Sequence, residues 1–170
     1  MAKMDTYWKF EGFLRELKEA FELSVAENIK ETEGSSERYL IFLLDRESFA
    51  LPIKQLREII LDKPIIPVPG ASPSVHGVIN HSNRILTVTN IHNLLQIPFK
   101  KAGNAYLLVT RDIKFKTGIL VDGLVNLIAV NQTDIKPKIS GQNKSIDRLV
   151  AGEIYYKERL VTLLDLTEVG

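Results

Sequence analysis

The sequence predicts an all-β protein, two small pseudo-equivalent β-barrels preceded by one helix, and three observations carry that reading. Short runs rich in Val, Ile, Leu and Tyr recur from residue 39 onward, separated by turn residues at short intervals. One hairpin pattern is written twice, since "GVINHSNRILTVTN" (77–90) returns as "GEIYYKERLVTLLD" (152–165). Helical periodicity, by contrast, is confined to the residues before Gly34.

Taken in order, residues 5 to about 31 are expected to form a helix. Asp5 or Thr6 can cap it, and Phe10, Phe13, Leu14, Leu17 and Phe21 fall on one face at three- and four-residue steps. Arg15, Glu16, Lys18, Glu19 and Glu22 occupy much of the other face. Gly34 and the serines of "ETEGSSE" stop the helix and read as a linker, which sets residues 1–33 apart from 34–170. "YLIFLL" (39–44) and "FALPI" (49–53) then flank the polar turn "DRES". "KQLREII" reads as one helical turn or a bent strand. "IIPV", "HGVIN", "RILTVTN", "AYLLVT", "TGILVD", "LVNLIAV", "AGEIYY" and "RLVTLLDL" complete the strand candidates. Residues 131–148 form the one long polar stretch; its Lys136, Lys138, Lys144 and Arg148, with nearby Lys157, read as a solvated loop rather than an acidic-partner surface.

The repeat has a fixed spacing. At an offset of 75 residues (152 − 77), Gly77 meets Gly152, Ile79 meets Ile154, Arg84 meets Arg159, and Asn90 falls on Asp165. A second pair of segments, "LPIKQLREII" (51–60) and "ILVDGLVNLI" (119–128), matches at 68 (119 − 51), so that Ile53 meets Val121 and Leu56 meets Leu124. The expected division is one barrel over residues 38–98 and a second over 104–170, with strands exchanged between them as a variant. Small barrels are filled by their own side chains, so they offer surfaces and grooves rather than deep pockets.

Bulk composition removes several function classes. Lys+Arg 22 against Asp+Glu 21 leaves a net charge of +1, too little for a nucleic-acid or anionic-membrane footprint. The absence of cysteine excludes disulfides and thiolate chemistry. There is no basic-then-apolar leader and no uncharged apolar run near the ~20 residues needed to span a bilayer, so a soluble, cytoplasmic protein without membrane insertion is expected. His76, His81 and His92 have no accompanying HExxH, and the alternation places them apart, so no metal is expected. Asp122 and Asp165, the acids nearest apolar strands, read as turn or cap residues. With no nucleophile elbow or phosphate-binding glycine loop, no catalytic residue and no cofactor is assigned. The residues describe a binding module.

Four segments in order, "YLIFLLDRESFALPIKQLREI", "IIPVPGASPSVHGVIN", "GILVDGLVNLI" and "GEIYYKERLVTLLDL", resemble the CheW-like domain over about residues 38 to 168. That resemblance implies two five-stranded SH3-like barrels. It also implies a non-enzymatic adaptor of chemotaxis-type signal transduction, which joins the cytoplasmic tip of a chemoreceptor to the regulatory domain of a CheA-type histidine kinase. Carried over position by position, the receptor-facing residues are Leu56, Gly77, Asn80, Ser82, Tyr106, Gly118, Leu124 and Leu127. The kinase-facing candidates are Ile79, Ile85, Leu86 and Val88.

The chain departs from the family at one turn. The usual Asn-Leu-Arg-Gly is here Asn80, His81, Ser82 and Asn83, and the Pro and Asp that usually follow are Thr87 and Asn90. Asn83 tolerates a left-handed backbone, so the turn survives, but Ser82 lacks the planar cation of the missing Arg. The alternatives are a divergent CheW-like adaptor of another two-component pathway, or a small-ligand-binding β-barrel protein. The ligand-binding reading requires a concave pocket with convergent titratable groups.

Overall fold

The computed structural model describes residues 36–61, 63–100, 106–111, 117–139, 141 and 143–167, and before them positions 12, 15–17 and 19. The strands are β1 (Glu37–Leu44), β2 (Glu47–Pro52), β3 (Leu56–Leu61), β4 (Val75–His81), β5 (Arg84–Thr89), β6 (Tyr106–Thr110), β7 (Thr117–Val121), β8 (Gly123–Val130), β9 (Val150–Tyr156) and β10 (Arg159–Leu164). Two short helices follow β5 and precede β9, namely α1 (Ile91–Leu95) and α2 (Lys144–Leu149). The stretch "KQLREII" resolves into both of its readings: a 3-10 turn at Ile53–Gln55 runs directly into β3.

The strands build two five-stranded sheets, ordered β8-β1-β2-β10-β9 and β3-β6-β7-β5-β4, each curled as an SH3-like barrel. Neighbours are antiparallel except β2 with β10 and β5 with β7. The sheets therefore do not divide the chain into contiguous barrels at 38–98 and 104–170. Each half-chain gives a hairpin to one barrel and a three-strand unit to the other.

Burial explains the exchange. In β1, Tyr39 and Ile41 fill the first barrel, while Leu40, Phe42 and Leu44 face a core shared between the barrels. In β6, Leu107 and Val109 fill the second barrel, while Leu108 lies in the shared core. Hairpins β1–β2 and β6–β7 are thus covered on both faces, which is why "YLIFLL" reads as a continuous apolar run without alternation. An uninterrupted apolar strand needs cover on both sides, and the exchange supplies it. Each fully buried leucine contributes about 1.5–3 kcal/mol of transfer free energy.

The two halves also match in backbone detail. A register shift between Leu56 and Glu58 opposite β6 is repeated between Leu124 and Asn126 opposite β1, at the 68-residue offset. A second, between Val75 and Gly77 opposite β5, is repeated between Val150 and Gly152 opposite β10, at the 75-residue offset. Strand-like bridges cross both glycine strands, Ile66 with Val78 and Lys136 with Glu153. A Cβ on Gly77 would lie 2.5 Å from the Ile66 carbonyl oxygen, and one on Gly152 would lie 2.8 Å from that of Lys136. Glycine stands at both places because another backbone crosses there.

"IIPV" contributes only the Ile66 bridge rather than a strand. Helix α1 goes unforeseen: Asn90 accepts the Asn93 N–H at its start (3.1 Å), and Ile91 and Leu95 point into the shared core. Part of the polar stretch 131–148 is helix α2 rather than loop, with Asn143 accepting the Ser145 N–H (3.0 Å). The described positions among the first 35 residues are helical, and Leu17 is buried in the shared core beside Leu149 and Leu166. Phe10, Phe13, Leu14, Phe21 and the Gly34 linker lie outside the described residues.

Candidate functional site

Hairpin β4–β5 carries most of the residues singled out by the sequence. Its strands pair from Val75–Thr89 to His81–Arg84, leaving Ser82 and Asn83 as a two-residue loop. Both have positive φ, 51° and 60°, as a type I′ turn requires. The turn survives the loss of its usual glycine because Asn is tolerant there, and Ser82 is exposed with no charge to offer.

Beside the turn, His81 Nε2 lies 3.0 Å from Glu58 Oε2 of β3, and Lys63 Nζ lies 3.3 Å from His81 Nδ1 and 3.2 Å from the Asn80 carbonyl oxygen. The contacts select the tautomer with the proton on Nε2, donating to Glu58 while Nδ1 accepts from lysine. A pocket of about 340 Å³ opens next to this network, lined by Arg57, Glu58, His81, Ser82, Arg84, Ile85, Leu86 and Val109.

The assigned positions separate sharply by burial. Asn80 and Ser82 are exposed; Tyr106, Leu124 and Leu127 are half-buried and packed on the shared core. Leu56 is fully buried within that core, so its side chain is not accessible from the surface. Gly77 and Gly118 are buried too, and a Cβ on Gly118 would sit 2.8 Å from the Leu107 side chain. Of the kinase-facing candidates, only Ile85 is accessible, at 78% exposure. Ile79, Leu86 and Val88 fill the second barrel. The reason is alternation: successive residues of β5 face opposite ways, so Ile85 and Leu86 cannot both look outward.

Two aspartates sit at junctions between the barrels. Asp122 Oδ2 accepts the Asp45 N–H from the β1–β2 turn and lies 2.9 Å from Nε2 of the buried His92 on α1. Phe99 stands edge-on to both His92 and His76, with ring centroids 5.0 and 5.1 Å away. Asp165 accepts the Thr167 N–H (3.0 Å), the Thr167 hydroxyl (2.7 Å) and the Gln55 side-chain amide (3.0 Å). Burial pushes its carboxyl up, but these donors and the charge of Lys54 outweigh burial and hold it below 3.8. Both acids lock turns, as the sequence indicates, through partners that it does not announce: Gln55 and Asp165 are 110 residues apart. Among the described residues, no three His, Asp or Glu side chains gather as a metal site would require. No helix among them is long and apolar enough to cross a membrane.

With this geometry in place, comparison with known proteins is decisive on kinship. The model of the CheW-like domain matches residues 38–169. The chain belongs to the CheW-like family. The chemotaxis protein CheW of Thermotoga maritima is 25% identical over 146 residues, covering 86% of this chain and 92% of that protein. The chemotaxis protein CheW of Bacillus subtilis is 21% identical over 136 residues, covering 79% and 87%. The crystal structure of the scaffolding protein TtCheW from Thermoanaerobacter tengcongensis superimposes with a TM-score of 0.69 at 19% identity, over 77% of this chain and 90% of that one. The CheW-like fold thus accounts for both barrels and their exchanged strands.

Proposed function

We propose that this CheW-like protein is a non-enzymatic adaptor of chemotaxis-type signalling that couples a chemoreceptor tip to the regulatory domain of a CheA-type histidine kinase. The observation that carries the reading is the family match over residues 38–169, which takes in both barrels. Relatives named as chemotaxis proteins align over most of their own length, which supports the same role. On this reading the receptor meets the accessible members of its set: Asn80 and Ser82 at the hairpin tip, with Tyr106, Leu124 and Leu127 along the seam between barrels. The kinase meets the outer face of β5 at Ile85.

The test is a three-component titration. Calorimetry of the full chain against a receptor cytoplasmic fragment and against the kinase regulatory domain should give separate, compatible binding events. Transient signalling contacts of this kind lie near about −8 kcal/mol, or micromolar dissociation constants. Absence of heat with both partners from the same source would refute the adaptor role.

A further inference from the structure

Leu17 belongs to neither barrel, yet it reaches the core they share. Of the described helical residues before β1, Leu17 is 2% exposed, whereas Gly12, Arg15, Glu16 and Glu19 are exposed. That contrast sets the inner face of the helix. Carried along the helix expected over residues 5 to about 31, the same face takes in Phe10, Phe13, Leu14 and Phe21, each within about 60° of Leu17 around the axis.

A groove of about 320 Å³ lies between the end of α1 and α2. Its Phe49 and Leu95 belong to the buried cluster that holds Leu17, and its Ile97, Ile146 and Val150 pack against that cluster. The internal repeat does not demand this apolar wall: at the 75-residue offset, Ile146 and Leu149 of α2 fall on Ala71 and Ser74. Charge singles out an occupant. Residues 1–35 carry eight acidic and five basic side chains, a net −3, so the rest of a chain of net +1 carries +4. Lys138 lines the groove, and Lys144 and Arg148 stand exposed on α2.

We propose that this groove seats the chain's own N-terminal helix, with Phe13 and Phe21, one turn to either side of Leu17, laid along Ile97, Ile146 and Val150. The segment's excess of carboxylates then faces the cations of Lys138, Lys144 and Arg148. Continuity with Leu17 carries the inference, since the groove's apolar walls and that leucine share one cluster. A tethered segment reaches its groove at high effective concentration, so a free helix from another protein would first have to displace it. No receptor- or kinase-facing position lines this groove, so the inference stands apart from the adaptor reading.

The experiment uses the full chain, whose lack of cysteine makes thiol cross-linking specific. Phe13→Cys and Phe21→Cys are each combined with Ile139→Cys, at the groove rim and 86% exposed, or with Ile85→Cys on the second barrel, 78% exposed. A short bismaleimide is added and the linked monomer is followed by mass. At least one helix position should link to 139 about tenfold faster than to 85, at a rate independent of protein concentration. Equal rates, or no link to 139 from either position, overturn the proposal. Links formed mainly between molecules also overturn it, and would make a second copy of the helix the occupant.

Melting of single variants supplies the second readout. Phe13→Ala and Phe21→Ala should each lower Tm by roughly 5 °C, as loss of a seated aromatic side chain requires. Glu19→Ala, at an exposed position of the same helix, should stay within about 1 °C of wild type. Unchanged melting in both phenylalanine variants would overturn the proposal and leave the stripe free for a partner.

Discussion

Hairpin β4–β5 turns through Ser82 and Asn83, and hairpin β9–β10 turns through Lys157 and Glu158, all four at positive φ. Behind each turn a side chain of the hairpin bonds to the strand that opens the same three-strand unit. In the second barrel the pair is His81 with Glu58; in the first, at the same offsets, it is Tyr156 with Asn126 (2.6 Å). The outward cross-strand pair is Asn80 with Ile85 in one and Tyr155 with Leu160 in the other, where Lys136 also lies 4.6 Å over the Tyr155 ring. Packing dictates the shared features: the glycine under a crossing strand, the bulge, the tight turn and one bond across the barrel mouth. What faces solvent is free to differ, and it differs in charge. Changes in that outer layer leave the buried frame intact.

The largest test of the comparison is at its centre. Leu56 and Leu124 are equivalent in position but unequal in burial, fully buried against half-buried. Leu56→Ala should cost about 3 kcal/mol in urea denaturation, the size expected for a core leucine, and Leu124→Ala about 1 kcal/mol. If Leu56→Ala left stability intact and abolished receptor binding, the leucine would be a contact after all.

Next come the glycines. Gly77→Ala and Gly152→Ala should each cost about 2–3 kcal/mol, since each added methyl meets a crossing backbone and an isoleucine side chain. A neutral Gly152→Ala beside a costly Gly77→Ala would mean that the crossing at Lys136 yields where the one at Ile66 does not.

The turns predict smaller effects of opposite sign. Glu158 occupies a left-handed conformation that Asn83 accepts far more readily, and glycine removes the penalty altogether. Glu158→Gly should therefore stabilise by about 1 kcal/mol, and Asn83→Gly by no more than a few tenths. Equal gains would show that the two turns carry the same strain.

The cap positions add a dependence on pH. Asn90 and Asp165 stand 75 residues apart at the same point after β5 and β10, and only Asp165 titrates. Its folded-state pKa is lowered, so its contribution to stability is present above the unfolded value of about 3.9 and is lost as pH falls through the folded value. Asp165→Asn should be less stable than wild type near neutrality, and the gap should close below about pH 4. A gap that persists unchanged in acid would mean that the Thr167 and Gln55 donors bind the neutral acid equally well.

These comparisons also show how much was legible before the structure. The repeat was, because glycines under crossing strands and bulged leucines recur at fixed offsets. Exchange of strands between barrels was only an open variant, because "YLIFLL" signals cover on both faces without saying which barrel provides it. Helix α1 was missed although Asn90, Ile91, Leu94 and Leu95 carry the signal, a capping side chain before apolar residues at helical steps. The candidate site was legible at its turn and largely not elsewhere. Family positions that proved buried, such as Leu86 and Val88, follow from strict alternation along β5. The bond between His81 and Glu58 gave no sequence signal, because residues 23 apart in the chain meet only once β3 and β4 close the barrel.

The smallest effect on stability tests the comparison at its tip. Lys157 at φ 47° holds the place that Ser82 holds at φ 51°, so this turn geometry accommodates a long basic side chain. Ser82 is exposed, and Ser82→Arg should change stability by less than about 0.5 kcal/mol. Ser82→Arg also tests whether the turn's lost charge matters for binding. If a receptor fragment presents an acid to this turn, the variant binds it about tenfold more tightly in calorimetry, the value of one charge-assisted bond. Unchanged affinity with unchanged stability would mean that the two turns differ for a reason other than the missing arginine.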